Sequence, residues 1–411
     1  MLPQQIAIVK ATIPVLQQYG ETITATFYES LFEENPSLLN IFNPASQRNG
    51  NQARSLAASI LAYAAHIDQL GQLGGMVDRI AHKHASLEVQ AEHYPIVGKH
   101  LLQAIRTVLG EAATPEIIDA WAAAYGQLAD IMIGVEKKLY TEGSTQPGGW
   151  AGFQPLVIER KVRESETITS FYLASPTGAS LPSFRPGQYL AVKAHVPDAP
   201  FEQIRQYSLS QVSNGRTYRI SVKRELAPEH LVAANNGLIS NHLHAEVNEG
   251  DTLLAHVPQG DFVLKQSDKP VVLLSGGVGI TPAICMLQEL AEESARPVLF
   301  LHATRQRSHH AFREEMRTLV AAHDHMRAIV FYEKVSAPDM AGRDYDMIGR
   351  INADCLRANL PQQPADFYYC GPVGFTKAVE GVLDALNIPL AARYSESFAP
   401  DPSFATEIAR A

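Results

Sequence analysis

Apolar residues in the first third of the chain recur at helical spacing. Ile6, Val9, Ile13, Leu16 and Tyr19 fall at three- and four-residue steps, the repeat of one helix face. Phe27, Leu31 and Phe32 continue on a second helix that stops near Pro36, and Ile96, Leu101, Leu102, Ile105 and Leu109 mark a long later one. Thr114-Pro115-Glu116 opens the next with a cap, a first-turn proline and an acidic first turn. That helix runs through Trp121, Tyr125, Leu128, Met132 and Val135 to about Tyr140. Residues 1–141 therefore read as an all-α domain. Glu142–Gly149 collects Gly, Ser, Thr and Pro, so 142–150 reads as a linker.

Beyond it the period changes. Leu156–Val162, Thr167–Ala174, Gln188–Ala194, Gln206–Ser210, Thr217–Lys223 and Asp251–Val257 alternate or carry β-branched residues between turn signals. Such a set predicts a small antiparallel β-barrel over 151–265. From Val271 onward, strands at Val271–Leu274, Val298–His302, Ala328–Tyr332 and Asp366–Cys370 alternate with helical patterns. That order predicts an α/β domain over 266–411, a parallel sheet with helices on both faces.

Composition narrows the function classes. At 411 residues, 46% hydrophobic and 19% charged, the chain is an ordinary globular protein of two or three domains. A net charge of −9 and a pI near 5.9 argue against a nucleic-acid surface or an anionic membrane. Cys285, Cys355 and Cys370 are scattered and odd in number. They form neither a disulfide framework nor a zinc spacing, which fits a reducing compartment. The N-terminus lacks a signal pattern, and no run of about 18 apolar residues occurs. A cytoplasmic protein is expected.

Two groups of residues carry chemistry. The first centres on Ala81-His82-Lys83-His84-Ala85-Ser86. A lone histidine on a helix is usually surface or core, and His82 and His93 compete with His84. Tyr28, Phe42 and Gln52 precede it, and Tyr94 and Glu136 follow. Tyr28 also reads as a core tyrosine, and Glu136 as a solvated partner of Lys137 or Lys138. No Cys-x-x-Cys-His occurs, so any haem is held without thioether bonds. The second group is Pro270-Val271-Val272-Leu273-Leu274-Ser275-Gly276-Gly277-Val278-Gly279-Ile280-Thr281-Pro282, a buried strand, a glycine turn and a helix start. Upstream stand Pro186-Gly187-Gln188-Tyr189 and Arg205-Gln206-Tyr207-Ser208. Downstream stand Cys370-Gly371-Pro372 and Glu396-Ser397-Phe398-Ala399-Pro400.

In these segments the chain resembles the flavohaemoglobins. Ile41-Phe42-Asn43 followed by Gln47-Arg48-Asn49-Gly50-Asn51-Gln52 is similar to that family's distal stretch. Lys83-His84-Ala85-Ser86 with His93-Tyr94-Pro95-Ile96-Val97-Gly98 is similar to its proximal one. Arg205-Gln206-Tyr207-Ser208 fits the Arg-x-Tyr-Ser pattern of the ferredoxin-reductase-like superfamily. The resemblance runs from Ile6 to Pro400 and implies a globin, a FAD-binding barrel and an NAD(P)H-binding domain. It makes His84 the proximal ligand of the single iron of haem b. Tyr28 and Gln52 become donors to bound dioxygen, Phe42 a wedge against the porphyrin, and Lys83 a neighbour tuning the electron path. Glu136, supported by Tyr94, would make the imidazole more basic.

The same resemblance places FAD on Tyr189, Arg205, Gln206, Tyr207, Ser208, Ser240, Phe398, Ala399 and Pro400. Arg205 would meet a pyrophosphate, Tyr207 the isoalloxazine and Ser208 its N5. NAD(P)H falls to Gly276, Gly277, Val278, Gly279, Ile280, Thr281, Cys370, Gly371 and Pro372. Arg305 and Arg307, after the second strand, would receive a 2′-phosphate or stand solvated. Two features depart from the family: Ala399 replaces a glycine, and the insertion at Leu226–Asn236 is long. The implied activity is nitric oxide dioxygenase, acting on O₂, NO and NAD(P)H in a monomer, with room for a lipid in the distal pocket. An oxygen or nitric oxide sensor with a maintenance reductase, and a general flavin or hydroperoxide reductase, are the alternatives.

Overall fold

The computed structural model describes residues 1–42, 50–197, 199–227, 237–293 and 295–398. Two compact units result among the described residues: Met1–Thr145 with the short segment Pro197–Ile204, and Gln146–Val196 with the chain from Arg205 to Phe398.

The first unit is all helical, with α1 (Pro3–Ala11), α2 (Ile13–Glu34), α3 (Asn51–Ala65), α4 (Gly74–Ser86), α5 (His93–Leu109) and α6 (Pro115–Thr145). Prolines stand in the first turns of α1, α2 and α6, where a missing N–H leaves no bond unmade. Phe27, Leu31, Ala62, Tyr63 and Trp121 form a buried core between the helices. The polar tips of its aromatics are paired. Tyr63 Oη donates to the Ala124 carbonyl at 2.8 Å, and Trp121 Nε1 to Thr12 Oγ1 at 3.2 Å. Helix α6 runs to Thr145, so residues 142–145 of the expected linker are helical. The hydroxyls of Thr141, Ser144 and Thr145 donate to carbonyls one turn back, and the helix ends two residues before Pro147.

In the second unit, β1 (Gln154–Arg163), β2 (Ile168–Ala174), β3 (Tyr189–Ala194), β4 (Gln203–Ser208), β5 (Thr217–Lys223) and β6 (Thr252–Ala255) form a sheet in the order β4-β3-β6-β1-β2-β5. A further bridge between Leu209 and Ile220 brings the end of β4 back to β5, which closes the expected barrel. Helix α7 (Leu238–Ala245) leads into β6.

The rest alternates: β7 (Val271–Gly276), α8 (Ile280–Glu293), β8 (Val298–Thr304), α9 (Arg313–Ala321), β9 (Met326–Tyr332), β10 (Met347–Ile348), α10 (Ala353–Asn359), β11 (Asp366–Gly371), α11 (Val373–Ala385) and β12 (Arg393–Ser397). These strands make a sheet ordered β10-β9-β8-β7-β11-β12, with parallel pairings throughout. Val271 and Leu273 pack with Ile284 and Leu287 of α8 on one face. Val272 and Leu274 pack with Val379 and Leu383 of α11 on the other. Burial on both faces explains why β7 reads as one unbroken apolar run. Successive strands leave β7 toward β8 and return at β11, so the carboxyl ends of β7 and β11 flank a topological switch point, where such sheets bind ligands. Among the described residues no helix is long and apolar enough to cross a membrane.

Candidate functional site

Helices α4, α5 and α6 bring three residues far apart in sequence together. His84 Nδ1 lies 2.7 Å from Glu136 Oε1, and Tyr94 Oη donates to the same oxygen at 2.6 Å. Nδ1 and the tyrosine oxygen are 3.2 Å apart. Glu136 is only 2% exposed, so this carboxylate is not the solvated partner of a helix-end lysine. Burial, and then the bond to Glu136, push the Tyr94 phenol well above its usual range and keep it a donor. The ring of His84 remains one-third exposed, with Nε2 as its remaining nitrogen.

The surroundings hold this cluster. Tyr125 Oη donates to the Tyr94 carbonyl at 2.6 Å, and Tyr140 Oη to the Val89 carbonyl at 2.7 Å. A Cβ on Gly98 would stand 2.5 Å from the Tyr125 ring, so α5 and α6 can approach this closely only with glycine there. The rival His93 has its Nδ1 taken by the Gln90 N–H at 3.0 Å. His82, two residues before His84, projects from a different side of α4. Lys83 is exposed.

Tyr28 lies buried on α2 inside an aromatic wall. Its ring centroid is 4.8 Å from Phe27, 5.7 Å from Phe32 and 5.9 Å from Phe42, and Phe32 meets Phe42 edge-on at 5.1 Å. Burial raises the Tyr28 phenol well above its normal range, and a hydrogen bond with the Gln52 side chain offsets part of that. Gln52 sits in the first turn of α3, entered through Gly50 at φ 69°, a left-handed conformation suited to glycine. Gln47, Arg48 and Asn49 lie outside the described residues.

The barrel presents the second group. Tyr189 exchanges backbone hydrogen bonds with Gln259 at 2.8 and 2.9 Å, and its ring lies against Gly260, where a Cβ would come within 3.1 Å. Arg205, Gln206 and Tyr207 are half-buried along β4, and Ser208 is buried. Burial lowers the Arg205 guanidinium and raises the Tyr207 phenol. The Ser240 hydroxyl is already committed. It donates to the Gly237 carbonyl at 3.1 Å and accepts from the Glu225 N–H at 3.2 Å. What Ser240 has to offer an anion is its backbone N–H, in the first turn of α7. Phe398 is exposed, and Ala399 and Pro400 lie outside the described residues, as does most of the insertion.

At the switch point the glycines have separate jobs. A Cβ on Gly279 would stand 2.0 Å from the Cys370 carbonyl oxygen, and one on Gly276 or Gly371 would stand 2.6 Å from the Phe375 ring. Only Gly277, at φ 54°, faces open space. Thr281 Oγ1 donates to the Val278 carbonyl at 3.0 Å, Ile280 is buried, and Pro372 caps α11. Cys370 pairs in register with Ser275 and Glu396. Burial pushes its thiol far up, which leaves it a poor nucleophile. Arg305 is exposed, while Arg307 faces Asp344 at 3.5 Å and Asp339 at 4.0 Å.

Sequence reasoning did not find Asp339 and Asp344, which lie in a loop without periodicity. It also missed Arg219 of β5, whose guanidinium donates to both oxygens of Glu315 on α9 at 2.8 and 3.0 Å. The alternation of β5 gave no hint of it: Arg219 falls in the polar phase of Thr-Tyr-Arg-Ile-Ser-Val-Lys, yet it is 4% exposed.

Three family models match the chain: Globin over residues 25–132, Oxidoreductase FAD-binding domain over 155–264 and Oxidoreductase NAD-binding domain over 273–381. The chain is 56% identical over 409 residues to the Flavohemoprotein of Deinococcus radiodurans, covering 99% of each. It is 48% identical to that of Bordetella pertussis, over 94% of this chain and 95% of the relative. Its fold is similar to the crystal structure of flavohemoglobin from Malassezia yamatoensis with bound FAD and heme. The TM-score is 0.84 at 27% identity, over 97% of this chain and 99% of that one.

Proposed function

This chain belongs to the flavohaemoprotein family, and from that premise we propose that it is a nitric oxide dioxygenase. It is an oxidoreductase with globin, FAD-binding and NAD-binding domains, and haem, FAD and NAD(P)H are its cofactors. The reaction would convert two nitric oxide and two dioxygen molecules, with one NAD(P)H, to two nitrates, NAD(P)⁺ and a proton. We assign the haem part to the helices up to Thr145, the flavin part to the barrel and the nucleotide part to the parallel sheet.

The donor set fits the cofactors. An imidazole backed by a buried carboxylate suits haem iron, and a half-buried Arg-Gln-Tyr-Ser strand suits a flavin with its pyrophosphate. When bound, haem supplies an iron that takes one electron at a time, and FAD turns a hydride into such single electrons.

The residues do the rest. His84 would hold the iron through Nε2, while Glu136 draws the Nδ1 proton and makes the imidazole a stronger donor. Tyr94 shares the carboxylate and limits that pull. Tyr28, kept protonated by burial, would donate a hydrogen bond to the ligand, with Gln52 orienting it. A bond of this kind to a charged ligand contributes about 1.5–3 kcal/mol. Phe27, Phe32 and Phe42 pack around the Tyr28 ring and hold it in place.

The observation that carries the reading is the His84–Glu136–Tyr94 cluster, because a carboxylate behind the proximal base favours oxygen activation over storage. The test is to supply the holoprotein with NADH, dioxygen and then nitric oxide, and to assay nitrate. Nitrate equal to the nitric oxide consumed, with sustained NADH oxidation, is expected. Nitric oxide that is bound but not converted overturns the proposal.

A further inference from the structure

Helix α4 ends two residues after His84, so the imidazole that meets Glu136 rides on the last turn, where helices fray. A left-handed turn closes that end. The Val89 N–H donates to the His84 carbonyl at 3.1 Å, and the Glu88 N–H to the Ala85 carbonyl at 3.1 Å. These are the two bonds of a Schellman motif, with Glu88 at the position that turns left-handed. Glycine usually fills that position. Here Glu88 holds φ 59°, a conformation disfavoured for any residue with a Cβ.

A turn built on a strained residue needs support from outside, and one side chain supplies it. Tyr140 Oη donates to the Val89 carbonyl at 2.7 Å. Val89 thus has its N–H on His84 and its carbonyl on Tyr140. Its side chain packs against the apolar cluster that contains Tyr94 and Met132. Tyr140 stands four residues after Glu136 on α6, one helical turn further along the same face. Helix α6 therefore grips the end of α4 at two points. Glu136 takes the His84 ring at 2.7 Å, and Tyr140 takes the turn behind it. Burial raises the Tyr140 phenol well above its usual range, so it stays a donor.

We propose that Tyr140 is a positioning residue: by holding the Val89 carbonyl it keeps the turn closed on the His84 carbonyl, and so fixes the angle at which the His84 ring meets Glu136. A short bond to a carboxylate is directional. Rotation of the ring at a frayed helix end would lengthen it and weaken the pull of Glu136 on the Nδ1 proton.

The inference rests on the proposed reading of His84 as the haem ligand, and the experiment separates the two. Resonance Raman spectroscopy of the ferrous holoprotein reads the iron–histidine stretch, and amide hydrogen exchange reads the Val89 N–H. His84→Ala should lose the stretch. A stretch that persists unchanged there overturns the reading of His84 and the inference with it. Tyr140→Phe keeps the ring and removes only the hydroxyl. Exchange at Val89 should then quicken by about three- to tenfold, the scale of one net hydrogen bond. The stretch should fall toward its value in Glu136→Gln. Glu88→Gly relieves the turn of its strain, so adding it to Tyr140→Phe should restore both the slow exchange and the stretch. With the stretch assigned to His84, three results overturn the inference alone. They are a stretch that holds in Tyr140→Phe, Val89 exchange that does not change, and a fall in the stretch that Glu88→Gly fails to reverse.

Discussion

Glu136 Oε1 accepts from two groups at once, and that sets what each neighbour does. Replacing Tyr94 by Phe leaves the oxygen wholly to His84, so the imidazole should become more basic. Replacing Glu136 by Gln removes the charge and should do the reverse. We expect the iron–histidine stretch of the ferrous holoprotein to rise in Tyr94→Phe and fall in Glu136→Gln. Nitrate formation should drop about ten- to a hundredfold in Glu136→Gln, the range seen when the partner of a metal-binding histidine is lost. Movement of both stretches in one direction would refute the shared-oxygen account.

A second residue-scale effect concerns stability. His302 is buried beside Ser275, and burial lowers its pKa from 6.5 to about 3. The folded state therefore keeps this ring neutral, while the unfolded chain takes up a proton below about pH 6.5. Stability is lost as pH falls from there toward 3, with a slope approaching 1.4 kcal/mol per pH unit for one histidine, on the order of what linkage allows. Urea titrations between those limits should show a shallower slope in His302→Gln. An unchanged slope would show that another group controls the acid limb.

At the scale of elements, the turn after β7 separates two uses of glycine that a motif merges. Gly279→Ala would drive a Cβ into the Cys370 carbonyl of β11, a backbone clash that side-chain rotation cannot relieve. Gly277→Ala meets nothing but must hold φ 54°. We expect the second to cost about 1 kcal/mol and the first clearly more, read from chemical denaturation of the full chain. This is also where legibility ends. Val271–Leu274 announces a strand because every side chain is buried, and Gly-x-Gly-x-x-Pro announces a turn. That Gly276 and Gly279 serve close packing depends on Phe375 and Cys370, roughly a hundred residues away. Strands β10 and β12 escaped notice for a related reason: the one has two exposed residues, and the other, Arg-Tyr-Ser-Glu-Ser, has no apolar alternation. His84, Tyr94 and Glu136 were legible through resemblance, because their spacings of 10 and 42 residues along the chain follow no local period.

At the scale of the whole molecule, the barrel and the parallel sheet form one unit, and Arg219 with Glu315 ties them. Arg219 is 4% exposed, also donates to the Ser210 carbonyl, and lies 4.7 Å from the Phe312 ring centroid, whereas the Glu315 side chain is 32% exposed. The two partners should therefore not be equivalent. Glu315→Leu strands a guanidinium in a dry site. Arg219→Met leaves a carboxylate that water can reach and that Gln288 Nε2 still contacts. Removing one member of a buried pair costs about 3–5 kcal/mol, and we place Glu315→Leu near that range and Arg219→Met well below it. The double variant should recover part of the loss, since neither charge is then left behind. Urea denaturation followed by flavin fluorescence measures all three. A greater loss for Arg219→Met than for Glu315→Leu would mean that the arginine holds the two parts together mainly by packing on Phe312 rather than by charge.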